Sequence, residues 1–157
     1  PDTVRFPPAV ADLTPELTWD NDATAVTIAA RTATPDAAVR YTDNGWPPSL
    51  SYGSGTPYRI TGPATLLARA FKTNHVATMT ISITVDQARP PMVRLTADLR
   101  LALTSDDPDA GIELRFPGSS TWSPYVSPLQ LAPGSVVQTR TRVPGKLTSQ
   151  TLEISGP

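Results

Sequence analysis

Short stretches in which apolar and polar residues alternate recur along the chain, separated by Pro, Gly, Asn and Asp. Ala25–Arg31 sets Val26, Ile28 and Ala30 against Thr27, Ala29 and Arg31, and Ala38–Thr42 puts Val39 and Tyr41 on one face. Thr78–Val85 is the most regular: Met79, Ile81, Ile83 and Val85 lie on one side, with Thr78, Thr80, Ser82 and Thr84 on the other. Period-two alternation with β-branched residues predicts half-buried strands of antiparallel sheets. A helix would need apolar spacings of three and four, which Thr78–Val85 lacks. The pattern resumes at Val93/Leu95, Leu99/Leu101/Leu103, Ile112/Leu114/Phe116 and Leu152/Ile154. Between the two halves stands Gln87-Ala88-Arg89-Pro90-Pro91. Adjacent prolines disfavour helix and central strand alike and mark the best internal boundary.

The second half repeats the first. Displaced by 73 positions, Val26–Gly45 falls on Leu99–Gly118 without a gap. Ala29, Pro35, Asp36, Ala37 and Gly45 then meet Ala102, Pro108, Asp109, Ala110 and Gly118. The apolar positions Val26, Ile28, Val39 and Tyr41 meet Leu99, Leu101, Ile112 and Leu114. Shared strand faces and a shared Pro-Asp-Ala turn favour duplication over coincidence. Further on, Thr56-Pro57-Tyr58 aligns with Ser123-Pro124-Tyr125 after a deletion of six residues in the second copy. The expected division is a Pro-rich extended lead-in over 1–15, a first module over 16–87, a linker over 88–91 and a second module over 92–157.

Composition narrows the class. The 157 residues include 18 Pro and no Cys; proline stands near twice its usual ~5% share, so long helices are not expected. Without Cys there are no disulfides, thiolate metal sites or thiol catalysis. A formal net charge of −1 with no run of one sign gives no basic patch for nucleic acid. No apolar run approaches the ~18 residues that span a bilayer. The chain opens with Pro1-Asp2 and shows no leader pattern, which reads as a fragment or a mature product.

The run Thr34-Pro35-Asp36-Ala37-Ala38-Val39-Arg40-Tyr41-Thr42, followed by Gly45, Pro48, Gly55-Thr56-Pro57-Tyr58, Gly62-Pro63 and Leu67-Ala68-Arg69-Ala70-Phe71-Lys72, resembles the chitobiase/β-hexosaminidase C-terminal domain family. The likeness covers residues 24–86 and, more faintly, 92–155. Asn44 stands where that family has Asp, and Trp46 where it has a small polar residue. In the second copy Pro117-Gly118-Ser119 and Thr139-Arg140-Thr141-Arg142 replace the corresponding motifs. The resemblance implies an all-β chain of two small antiparallel immunoglobulin-like or fibronectin-like β-sandwiches in tandem. It also implies non-catalytic accessory modules of a secreted bacterial glycoside hydrolase, of the β-N-acetylhexosaminidase class. They would lie in the periplasm, outside the cell or in its envelope, with the catalytic domain of the same polypeptide as partner. A fold signature of this kind specifies no chemistry.

The residues agree that the chain alone is not an enzyme. His75, the single histidine, lies in Thr73-Asn74-His75-Val76 and reads as a solvated turn residue; no Gly-x-Ser-x-Gly elbow occurs. The adjacent acids are Asp106-Asp107, not the adjacent Asp-Glu pair that a likeness to the catalytic domain of family 20 glycosidases would imply, and a barrel takes about 250 residues. Asp106, Asp107 and Asp109 could offer carboxylates to calcium, but Thr32–Ala38 keeps only Asp36, which favours a plain Asx/Pro turn. No cofactor is expected. Aromatics are what remain: Trp46, Tyr52 and Tyr58 in one loop-rich region, Trp122 and Tyr125 in the related region of the second copy. Exposed aromatic planes stack on the C–H faces of sugar rings, so these five are candidates for binding a chitin-type glycan. The competing reading makes Tyr41, Tyr58 and Tyr125 core anchors. A structural repeat of a bacterial surface protein is a further alternative.

Overall fold

Twelve β-strands and no helix make up the computed structural model, which describes residues 3–157. The chain divides into two compact units: residues up to Asp20 with Ala25–Val85, and Asn21–Thr24 with Asp86–Pro157. No helix among the described residues is long and apolar enough to cross a membrane.

In the first unit, β1 (Leu13–Trp19), β2 (Val26–Thr32) and β4 (Tyr58–Ile60) form one antiparallel sheet in the order β1-β2-β4. The other sheet, β3-β5-β6, comprises β3 (Ala38–Thr42), β5 (Ala64–Phe71) and β6 (Ile81–Val85). Strands one, two and four facing strands three, five and six is immunoglobulin-like order. The alternation of β2 has the predicted phase: Val26, Ile28 and Ala30 are buried, joined by Tyr41, Ile60, Leu66, Ala68, Ala70, Ile83 and Val85.

The second unit repeats the plan. β7 (Met92–Leu95) pairs with β8 (Leu101–Thr104), while β9 (Gly111–Arg115), β10 (Ser123–Pro124), β11 (Val136–Arg142) and β12 (Leu152–Ser155) form a sheet ordered β10-β9-β11-β12. Leu129 exchanges both backbone hydrogen bonds with Leu101, at 2.8 and 3.1 Å, and so stands for β4. The core gathers Leu101, Leu103, Leu131 and Val137 with Ile112, Leu114, Tyr125, Leu129 and Ile154 around them. The displacement of 73 carries Ala38–Thr42 onto Gly111–Arg115, and Gly45 (φ 82°) onto Gly118 (φ 84°). Both glycines occupy a left-handed turn that a Cβ would strain.

Several local expectations need correction. The lead-in over 1–15 ends early, since Leu13 is buried and begins β1. Pro15 is tolerated there because β1 is an edge strand, and the Pro8 carbonyl already accepts the Val76 amide at 2.9 Å. The second unit also starts earlier than 92: Asp86 O accepts Leu147 N–H and Ala88 N–H donates to Leu147 O, both at 2.8 Å, so the end of the expected first module and the expected linker belong to the second unit. The strand expected over Thr78–Val85 is only Ile81–Val85, with Met79 82% exposed and Thr78 buried. The Thr78 hydroxyl accepts the Ala70 amide at 2.9 Å, in the place a strand carbonyl would take, and this turns the chain. Ser149 repeats the device on the Thr141 amide at 2.8 Å. Leu99, expected with Leu101 and Leu103, stands outside β8 at φ 60° and is 64% exposed.

The proposed equivalence of Tyr58 and Tyr125 also fails. Tyr58 pairs with Ile28 in β4, whereas the Tyr125 amide donates to Ile112 O beside β9 at 2.8 Å. By role, Tyr125 matches Tyr41. The Tyr41 hydroxyl accepts the Ala30 amide at 2.8 Å, and the Tyr125 hydroxyl accepts the amide of Leu103, 73 positions after Ala30, at 3.1 Å. Tyr41→Phe and Tyr125→Phe each leave a strand amide unpaired, and each is expected to lower stability by about 1–3 kcal/mol. Urea unfolding followed through amide signals of both units should show each loss confined to the unit that carries the substitution.

Candidate functional site

The chain between β3 and Ser54 forms a long, ordered hairpin loop. Tyr41 and Ser54 exchange backbone hydrogen bonds at 2.9 Å, closing its base. Ser49 and Tyr52 do the same at 3.0 and 3.2 Å further out, and Pro48 is buried beneath them. Gly53 is required here: at φ 112° it approaches Tyr41 O so closely that a Cβ would lie 2.7 Å away. At the tip the Asn44 side chain does two things. Its Oδ1 accepts the Trp46 amide at 3.2 Å, and its Nδ2 donates to the Tyr52 hydroxyl. The Thr42 hydroxyl donates to the Trp46 carbonyl. Trp46 is thereby held 70% exposed, with Tyr52 44% exposed on the same loop. Of the five aromatic candidates, these two present open ring surface from a fixed backbone.

Tyr58 is set apart from that pair. It is partly buried, its ring centroid 6.2 Å from that of Tyr41 at an interplanar angle of 56°. Burial pushes its phenol up, with the Asp43 and Tyr52 charges adding to the effect. Tyr125 is partly buried and packs on the second core.

Trp122 lies within a chain of charges on the outer face of the second unit's larger sheet. The Arg140 guanidinium carbon is 4.2 Å from its ring centroid and that of Arg115 is 4.5 Å away. Arg140 also pairs with Glu113 at 2.6 Å and Asp22 at 3.2 Å, with its side chain only 6% exposed. Arg115 donates to Gln138 Oε1 at 2.7 and 3.0 Å, and Gln138 donates to Glu153 at 2.7 Å. The β9–β11 register sets this up, placing Arg115 opposite Gln138 and Glu113 opposite Arg140. A cation over an indole face gains about 2 kcal/mol when desolvated, and here it occupies ring surface that a sugar would need. The alternation of Gln138, Arg140 and Arg142 against Val137, Thr139 and Thr141 carried the signal for this face; the partners come from β9 and from Trp122 and could not be paired in advance.

The acidic turn is engaged with cations. Asp106 pairs with Arg89 at 3.4 Å, and Asp107 with Lys146 at 2.9 Å while accepting the Asp109 amide at 3.1 Å. Among the described residues no three His, Cys, Asp or Glu side chains converge. His75 Nδ1 lies 2.9 Å from the Thr73 carbonyl, to which it donates within the turn.

No family model matches the chain, and no curated protein shows significant sequence similarity to it. Among solved structures, one described as a cytokine receptor complex aligns with a TM-score of 0.40 and 12% identity, over 92% of this chain and 96% of that one.

Two outcomes follow from the site. Arg140→Met leaves Asp22 without its cation and Glu113 with only the longer Arg142 contact at 3.6 Å; it is expected to cost about 2–4 kcal/mol, read as a lower urea midpoint for the second unit. The Lys146 ammonium, and then the Asp109 amide, hold the Asp107 carboxyl below the usual range. A depressed carboxyl contributes stability above its unfolded value of about 3.9 and loses that contribution as pH falls through its folded value. An NMR titration of the Asp107 carboxyl carbon should therefore move to higher pH in Lys146→Met.

Proposed function

We propose that the two units are non-catalytic accessory modules of a secreted bacterial glycoside hydrolase of the β-N-acetylhexosaminidase class, packing against or spacing its catalytic domain. What supports this most is what the copies share. Strand order, the glycine turn after β3 and β9, the tyrosine hydroxyl on the second strand and the hydroxyl of Thr78 or Ser149 recur in both units. All of these hold a scaffold together and none performs a reaction. Loops and outer faces, where modules on a rigid scaffold carry their specificity, differ in chemistry between the copies: Trp46 is exposed while Trp122 is covered by arginines, and Arg40 stands where the second copy has Glu113. Deleting the two units from the full-length polypeptide should leave kcat on an N-acetylglucosaminide unchanged and shorten the half-life on heating. A chain of residues 1–157 that itself turned over the glycoside would overturn the reading.

Glycan binding is the second reading, and the exposed Trp46 held beside Tyr52 by Asn44 favours it. The Trp46 plane is free to stack on a pyranose ring, whereas Trp122 already carries two guanidiniums. Chitin oligosaccharides should change the tryptophan fluorescence of the intact chain, and Trp46→Ala should remove that response. No response from the parent chain at millimolar ligand would sink it.

A further inference from the structure

In the first unit, one edge of the β3-β5-β6 sheet is left half covered. Tyr41 sends its N–H and C=O to Ser54, away from β5. Backbone direction alternates along an antiparallel strand, so Val39 aims its N–H and C=O to that same side. In the second unit the corresponding edge is filled: Leu114 pairs with Ser123, and Ile112 O accepts the Tyr125 amide at 2.8 Å. In the first unit the chain leaves after Ser54. The Thr56 amide turns back to the Ser54 hydroxyl at 3.2 Å, and by Tyr58 the chain has joined β2. Among the described residues no group pairs with Val39 on this edge. An open cleft of about 530 Å³ runs beside it, bounded by Arg31, Ala38, Val39, Arg40, Gly55 and Pro57.

The cleft carries an uncompensated charge. Arg31 is paired with Glu16 at 2.6 Å, but among the described residues the Arg40 side chain has neither an ion pair nor a hydrogen bond, and its Nε is buried without a partner. Its cross-strand neighbour is another cation, Arg69, which is committed to the Thr78 carbonyl at 2.8 Å and to the Phe71 ring at 5.3 Å. Like charges opposite each other weaken a sheet. In the second unit the position 73 residues after Arg40 is Glu113, which pairs with Arg140 at 2.6 Å. Gly55 leaves room for the Arg40 guanidinium, since a Cβ there would lie 2.8 Å from Nη1.

We propose that the free edge of β3 receives an extended acidic segment of a partner protein. The segment adds as a strand beside Val39, as Ser123–Pro124 adds to β9, and sets a carboxylate on Arg40. Strand addition draws affinity from main-chain hydrogen bonds and specificity from the alternate side chains. The carboxylate supplies in trans the charge that Glu113 supplies in the sibling unit. This proposal does not depend on the accessory or glycan-binding readings.

The test uses the whole chain, ¹⁵N-labelled, at low salt, with three probes: a short poly-L-glutamate peptide, sodium glutarate and heparin. Poly-L-glutamate should shift the Arg40 Nε–H and the Val39 amide together. Arg40→Gln should weaken its binding about tenfold or more, and Val39→Pro, which deletes the outward N–H but keeps the cation, should abolish the shift at Arg40. Either variant suffices if the other fails to fold. Glutarate moving Arg40 alone, with poly-L-glutamate adding nothing at Val39, would overturn strand addition. A stronger response to heparin would replace the acidic peptide with a sulfated glycan. Shifts spread evenly over Arg5, Arg59 and Arg40 would reduce the effect to general charge and end the proposal.

Discussion

Both units depend on one hydrogen bond between a tyrosine hydroxyl and the backbone of the second strand. In a sandwich this small the neighbouring strand is short. β4 covers β2 only from Val26 to Ile28, and a single residue, Leu129, covers β8. Past that point the second strand still lies against the core, where an orphaned amide would cost about 1–3 kcal/mol. The Tyr41 hydroxyl meets Ala30 and the Tyr125 hydroxyl meets Leu103. Each ring fills the core while its polar end completes the strand. The two sheets can then face each other without a full complement of strands, as chains with cores this small require.

The same requirement is met from two different places in the sequence. Tyr41 reaches across from β3, whereas position 114 is leucine and the hydroxyl comes from Tyr125, just past β10. Supplying the tyrosine from there keeps the chain beside β9 as far as residue 125, so the edge of β9 is covered. In the first unit the tyrosine sits within β3; the Trp46 loop returns to Tyr41 through Ser54, and only then does the chain leave to form β4. The uncovered edge beside Val39 therefore follows from where one phenol is placed.

The outer faces diverge for an electrostatic reason. Position 40 is arginine opposite Arg69, while position 113 is glutamate opposite Arg140. With the carboxylate in place, Arg140 is nearly buried among Glu113, Asp22 and Trp122. Without it, Arg40 turns toward Gly55 and Arg69 toward Phe71 and Thr78. One sheet closes its outer face with its own charges, and the other leaves a cation at its edge.

Alternation determined that this chain is built of strands and which faces of β2, β3, β9 and β12 turn inward, because side-chain direction in a strand has a period of two; the displacement of 73 residues, with its shared Pro-Asp-Ala turn, showed that the two halves share a plan. That Gly45 recurs at Gly118 was visible in the same displacement, while the positive φ that both adopt is seen in the structure. Partnership was not legible. Nothing in Thr56-Pro57-Tyr58 and Ser123-Pro124-Tyr125 says that one joins β2 and the other β9. Nothing in Trp122 says that it meets Arg115 and Arg140 while Trp46 stays open. Those outcomes rest on strand register and on where each hairpin leaves its sheet, distances set between residues far apart in the chain, and only the assembled sheets decide them.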